Sequence, residues 1–230
     1  NRVEFLEVLF GAMRAGCVPV MINVKLPDET VEYIVNDAEM KAVFADLNQA
    51  ERIPEGVRTL TFPSASDLSG DGAAHGISNA YSDFKIYSDA AFPSFFPGGD
   101  DIAEQPYTSG STGTPKGVLL DHHGQVWMVG KIVQNRDIRE DDCSVISAPL
   151  YHKNALLAVK SALSAGGRIV IFSRFDAAEY VKAIERYRLT MLTGVPTMYA
   201  LILQEEKLLE ETDLSSVRNC SMGSAPASDN

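Results

Sequence analysis

The segment Tyr107-Thr-Ser-Gly-Ser-Thr-Gly-Thr-Pro-Lys-Gly117 gathers hydroxyls, glycines and one cation in a single short stretch. That combination is suited to holding phosphate. Gly110, Gly113 and Gly117 let backbone N–H groups turn toward an anion, Ser109, Ser111, Thr112 and Thr114 add hydroxyl donors, and Lys116 supplies a point charge. Pro115 restricts the direction in which Lys116 leaves the loop. Lys116 is followed by glycine rather than by a hydroxyl residue, which excludes the Gly-x-x-x-x-Gly-Lys-Ser/Thr nucleotide loop. The glycine spacing also excludes the dinucleotide turn G-x-G-x-x-G, and no serine occupies the centre of a G-x-S-x-G elbow. On composition alone, a flexible Gly/Ser surface hairpin is the alternative reading of the string.

Other residues of chemical interest fall at strand ends. His152, in Pro149-Leu-Tyr-His152, follows an apolar run and so stands where ligand sites of α/β sheets form; a structural histidine is the alternative. Gly223, Ser224, Ala225 and Pro226 make a turn of small residues that lets backbone approach a flat ligand face, a weak signal taken alone. His122 and His123 follow Asp121, a suitable helix cap, and are expected to be helix-start residues. Lys160 lies inside an apolar helical stretch and is expected to be a snorkelling surface lysine.

The elements that position these groups alternate. Val3, Leu6, Leu9, Phe10 and Met13 recur at helical spacing, and Cys17 to Ile22 is expected to be a buried strand made irregular by Pro19. A helix starting at Pro27 and Asp28 turns Val31, Ile34 and Val35 inward, followed by a strand over residues 41–45. Residues 63–105, rich in Gly, Ser, Asp and Pro, form a variable connection. The phosphate loop is expected at the tip of a hairpin between a strand ending near Thr108 and one running from Gly117 to Leu120. Strands over 144–148, 168–172, 190–193 and 219–222 alternate with helices over 154–165, 176–187 and 196–210. The fold class is therefore α/β, with mostly parallel sheets covered by helices.

The composition fits a folded protein, with 230 residues of which 45% are hydrophobic. A formal charge of −11 argues against nucleic acid as a partner, because a net basic face is then lacking. The three cysteines, Cys17, Cys143 and Cys220, are widely spaced and suggest neither a zinc site nor a disulfide framework, so a cytoplasmic location is expected. No metal ligand is assigned. No apolar run reaches the length of an integral membrane segment.

The Tyr107 to Gly117 string resembles the phosphate-loop signature of the adenylate-forming, AMP-binding superfamily. Asp100-Asp-Ile-Ala103 leads into it and Gly117-Val-Leu-Leu-Asp-His122 leaves it as in that family. Pro149-Leu-Tyr-His152 resembles the family's aromatic-histidine motif, Gly194-Val-Pro-Thr-Met198 its Val-Pro-Thr turn, and Gly223-Ser-Ala-Pro226 its nucleotide-binding turn. The segment from Asn1 to Asn23 is similar to the one that precedes these motifs.

The resemblance implies an incomplete N-terminal domain of an acyl-CoA or aryl-CoA synthetase, with 1–105 as a first α/β portion and 106–230 as a second. The family reaction joins a carboxylic acid to ATP as acyl-adenylate and transfers the acyl group to coenzyme A, with magnesium accompanying the nucleotide. Thr108 to Thr114 and Lys116 would grip phosphate, Gly223 to Pro226 would meet the adenine, and His152 would line the boundary between acyl pocket and nucleotide, with Lys116 and His152 serving catalysis. Ala155 stands where many relatives carry glycine, so the acid is not specified. The family's ribose-binding aspartate and mobile C-terminal domain are expected beyond Asn230, leaving the isolated chain inactive. A peptide-synthetase adenylation domain and a non-catalytic nucleotide-binding module remain as alternatives.

Overall fold

The computed structural model describes residues 1–62, 95–108 and 113–223. Contacts divide the chain into two compact units, Leu6–Asp121 and a second that joins Asn1–Phe5 to His122–Asn230. The first helix, α1 (Val3–Arg14), carries Glu4 in its first turn and Arg14 in its last, each favourable to the helix dipole, and buries Leu6 and Leu9.

In the Leu6–Asp121 unit, α2 (Asp28–Asp37) follows Pro27 and buries Val31, Ile34 and Val35, the three positions that its periodicity selects. It ends in a left-handed residue, Glu39 (φ 47°), beyond which the Met40 N–H reaches back to the Val35 carbonyl at 3.1 Å. The chain then forms β1 (Ala42–Asp46), a single helical turn α3 (Leu47–Ala50), and β2 (Arg58–Phe62), which pairs parallel to β1. Two short antiparallel pairs complete the unit. β3 (Ile102–Glu104) pairs with β6 (Leu120–Asp121), and β4 (Tyr107–Thr108) pairs with β5 (Lys116–Gly117).

The expected strand over Cys17 to Ile22 does not form. Pro19 has no N–H for a ladder, Cys17 and Val18 are exposed, and the segment is held through the Gln105 N–H donating to the Pro19 carbonyl at 3.1 Å.

The second unit opens with α4 (His122–Arg136) and is built on a four-stranded sheet of order β10–β9–β7–β8, every pairing parallel. These strands are β7 (Cys143–Ile146), β8 (Arg168–Ile171), β9 (Met191–Gly194) and β10 (Asn219–Met222). Helix α5 (Lys153–Ser164) connects β7 to β8 and α6 (Ala177–Tyr187) connects β8 to β9. Asp176 caps α6 by accepting from the Glu179 N–H at 3.0 Å. The single helix expected over 196–210 is two, α7 (Pro196–Leu203) and α8 (Glu206–Glu211), broken at Gln204 and Glu205.

The core of this unit joins Cys143, Val145 and Leu192 from the sheet to Tyr180, Val181 and Ile184 from α6 and Ile202 from α7. Truncating a side chain as buried as Ile184 to alanine costs about 2–5 kcal/mol. Tyr180 is accommodated because its hydroxyl donates to the Thr193 carbonyl at 3.1 Å.

Candidate functional site

Each unit gathers its own set of the residues singled out from sequence. In the Leu6–Asp121 unit, β4 and β5 set Thr108 opposite Lys116 and Tyr107 opposite Gly117, giving the expected hairpin. Lys116, Thr108, Thr114 and Gly113 are all exposed, and Gly113 takes φ 84°, a conformation that favours glycine. Ser109, Gly110, Ser111 and Thr112 lie outside the described residues. The exit strand is shorter than expected, since β5 ends at Gly117 and Leu120 belongs to β6, which pairs elsewhere.

The base of this hairpin is anchored by a polar cluster that sequence reasoning did not find. The Tyr107 hydroxyl donates to Oδ2 of Asp37 at 2.5 Å and accepts from Nε2 of Gln105 at 3.2 Å. The Tyr33 hydroxyl donates to Oδ1 of the same carboxylate at 3.3 Å. Burial first, then the hydrogen bond to Asp37 and its charge, push the Tyr107 phenol well above its ordinary value, so it stays a neutral donor. Gly117 closes against this cluster: a Cβ there would overlap the Gln105 amide and lie 3.1 Å from Cζ of Tyr107. Glycine at 117 thus serves close approach.

In the second unit the parallel pairing puts the carboxyl ends of all four strands along one edge. The turn Pro149–His152 follows β7, Val195–Pro196 follows β9, and Gly223 follows β10. His152 sits at the N-cap of α5 in extended conformation, its N–H donating to the Pro149 carbonyl at 3.0 Å and its carbonyl accepting from the Leu156 N–H at 3.3 Å. Its ring lies 4.5 Å from that of Tyr151, tilted by 56°. The imidazole is exposed, and the buried Leu150 fixes the turn beneath it.

The Gly223 N–H donates to the Gly194 carbonyl at 3.3 Å, and Nδ2 of Asn154 is 4.0 Å from where a Gly223 Cβ would stand. The structure therefore brings the His152 turn and Gly223 together through the first turn of α5. Ser224, Ala225 and Pro226 lie outside the described residues. The Tyr199 hydroxyl donates to the Ser221 carbonyl at 3.1 Å, and burial pushes that phenol up to about 12. Gly194 allows the Tyr199 ring to pass, for a Cβ there would lie 3.0 Å from Cε2.

Lys160 is half-buried, and its Nζ donates to Oε1 of the buried Gln125 on α4 at 3.2 Å. His122 and His123 begin α4, as expected. Among the described residues, no group of three or more His, Cys, Asp or Glu side chains is arranged to hold a metal ion, and no helix is long and apolar enough to cross a membrane.

A four-stranded parallel sheet whose carboxyl edge carries the His152 and Gly223 turns, and a separate β4–β5 hairpin bearing Lys116, make this an α/β protein. The chain belongs to the AMP-binding enzyme family, whose model matches residues 1–230. It is 31% identical over 229 residues to a feruloyl-CoA synthase of Amycolatopsis sp, covering 98% of this chain and 43% of that protein. It is 29% identical over 236 residues to 4-coumarate–CoA ligase 2 of Nicotiana tabacum, covering 98% of this chain and 42% of that protein.

Among solved structures, ATP-bound MatB from Rhodopseudomonas palustris matches with a TM-score of 0.80 at 28% identity, over 98% of this chain and 43% of that one. The O-succinylbenzoate coenzyme A synthetase MenE from Bacillus subtilis, in complex with AMP, matches with a TM-score of 0.76 at 25% identity, over 98% and 53%. The fold is thus that of part of the N-terminal domain of adenylate-forming enzymes, and the chain spans less than half the length of the curated relatives named.

Proposed function

We propose that the chain is the phosphate-loop part of an ATP-dependent carboxylate–CoA ligase, which activates a carboxylic acid as acyl-adenylate and passes the acyl group to coenzyme A. The observation that carries this reading is the β4–β5 hairpin, which sets an exposed Lys116 opposite Thr108 and beside the left-handed Gly113. The family membership and the CoA-forming names of the relatives support it further.

The hairpin fits a polyphosphate on its own chemistry, with a cation, hydroxyls and a left-handed glycine in one tip. Bound ATP with magnesium would supply the electrophilic phosphorus and a good leaving group. The residues of this chain would position and neutralise: in the Leu6–Asp121 unit Thr108 to Thr114 and Lys116 would hold phosphate oxygens, and in the second unit Gly223 to Pro226 would flank an adenine and His152 would bound the space for a carboxylate. Magnesium needs oxygen ligands and keeps several waters, so it enters with the phosphates rather than in a cage built by these residues. The domain division of the family, with a portion over 1–105 and another over 106–230, is part of the same proposal. So is a cytoplasmic location, which three unpaired cysteines support.

Calorimetry of the chain with ATP and magnesium tests the nucleotide site. Carboxylate-dependent pyrophosphate exchange in the intact ligase, beginning with ferulate and 4-coumarate, tests the reaction. An exchange signal driven by amino acids with a carrier protein as acceptor would instead establish a peptide-synthetase adenylation domain. Nucleotide binding without exchange would establish a non-catalytic module.

A further inference from the structure

The first residue of the chain makes three hydrogen bonds across a strand boundary. Nδ2 of Asn1 donates to the Ala148 carbonyl at 2.9 Å and to the Phe172 carbonyl at 3.0 Å, and Oδ1 accepts from the Leu150 N–H at 2.8 Å. Ala148 lies just beyond β7 and Phe172 just beyond β8. The last rung between these strands is the Phe172 N–H donating to the Ile146 carbonyl at 2.9 Å. Past that rung the two chains diverge, one toward the His152 turn and the other toward Asp176.

The Asn1 amide occupies the divergence. Both of its N–H donors go to carbonyls, one from each departing chain, and its oxygen takes the N–H of Leu150. Only a side chain with two donors and an acceptor on a short arm satisfies this set. Leu150 is in turn buried, and the Pro149 carbonyl accepts from the His152 N–H at 3.0 Å, so the bond at Leu150 fixes the turn two residues before the imidazole.

We infer that Asn1 is a positioning residue: it sets the exit of the Ala148–His152 turn from the sheet and thereby the place of the His152 ring at the carboxyl edge. Its consequence for catalysis rests on the ligase reading given above. Asn1 touches no reacting atom in that reading and acts through His152.

Asn1→Asp tests this with little change in size, because it turns carboxylate oxygens toward two carbonyls; Asn1→Ala removes all three bonds. The chain has four histidines, His75, His122, His123 and His152, so the imidazole C–H signals can be resolved by NMR and that of His152 assigned by its loss in His152→Gln. Both Asn1 variants should shift the His152 signal and leave those of His122 and His123 in place. In the intact ligase they should raise KM for the carboxylate roughly three- to tenfold, the scale of one or two lost hydrogen bonds, with KM for ATP nearly unchanged. In a His152→Ala background they should add nothing further.

An unmoved His152 signal overturns the inference, as does an equal rise in both KM values. If Asn1→Asp lowers the folded fraction, Asn1→Gln keeps donors and acceptor on a longer arm; a His152 signal identical to wild type in that variant likewise counts against it. An intact protein without carboxylate-dependent exchange removes the ligase reading, and the NMR result on the chain then decides the structural role of Asn1 by itself.

Discussion

The Tyr107 hydroxyl reaches Oδ2 of Asp37 at 2.5 Å, joining residues separated by 70 positions and tying the base of the β4–β5 hairpin to the last residue of α2. The Tyr107→Phe and Asp37→Ala changes should each destabilise the chain, and the double variant should fall short of their sum by about 0.5–1.5 kcal/mol, the scale of a partly exposed hydrogen bond. Urea unfolding of the four proteins in the cycle measures the coupling. Strict additivity would show that the contact contributes nothing.

On the nucleotide reading proposed above, Lys116→Ala should weaken nucleotide binding by about 1–3 kcal/mol, the scale of one charge-assisted hydrogen bond. The fold should be unaffected, because Lys116 is exposed. Calorimetry with ATP and magnesium, and pyrophosphate exchange in the intact ligase, read the loss. Unchanged values for both would make Lys116 a solvated hairpin charge.

At the opposite edge of the four-stranded sheet, buried Asp142 ties the beginnings of the strands together. Its carbonyl accepts from the Arg168 N–H at 2.8 Å, and its carboxylate accepts from Oγ1 of Thr190 at 2.6 Å and from Nη2 and Nε of Arg218 at 2.6 and 3.1 Å. Removing Arg218 strands a buried charge, so Arg218→Met should cost about 2–4 kcal/mol in chemical denaturation. A loss below about 0.5 kcal/mol would place the pair among weak surface ion pairs.

The same network sets a pH dependence. Burial pushes the Asp142 carboxyl up, but the hydrogen bonds from Arg218, Thr190 and the Arg139 N–H outweigh it, and the folded value lies below the ordinary 3.8. The native state therefore binds this proton less readily than the unfolded chain. The contribution of Asp142 is complete above the unfolded value and is lost as pH falls through the folded one. Stability measured from pH 6 down to pH 2 should fall less steeply in Arg218→Met than in the unaltered chain; parallel curves would contradict the assignment.

Glu39 offers a gain. It holds φ 47° in the turn that ends α2 and is exposed, so its side chain is strained without a compensating burial. Glu39→Gly should stabilise the chain by about 0.5–1 kcal/mol, the relief of a left-handed residue less the added chain entropy. A drop in the denaturation midpoint would mean that the carboxylate contributes more than the strain removes.

Much of the second unit was legible because each strand of a parallel sheet is a short apolar run and each connecting helix has its own periodicity; Val145, Leu192 and Ile184 show both patterns. Cys17 to Ile22 misled for the same reason, since its apolar content outweighed the ladder donor that Pro19 lacks. The helix over 196–210 was expected as one because nothing between Leu203 and Glu206 is a strong breaker, yet the chain turns at Gln204.

The candidate site divided along similar lines. Lys116, Gly113 and His152 announce themselves by residue type and spacing. Asp37, Gln105 and Asn1 do not, because each works by meeting groups brought near only by the fold. The distance of 147 positions between Asn1 and Ala148 leaves no local trace.

The parallel arrangement of β7 to β10 separates two tasks onto opposite rims. One rim, where Asp142 meets Arg168, Thr190 and Arg218, fastens the strands; the other, where the Pro149–His152, Val195–Pro196 and Gly223 turns emerge, is open to variation. Exposed residues on the open rim, His152 among them, can be exchanged without loosening the fastening. Selection, or a designer, can therefore redraw the turns one at a time while the strands beneath keep their order and register.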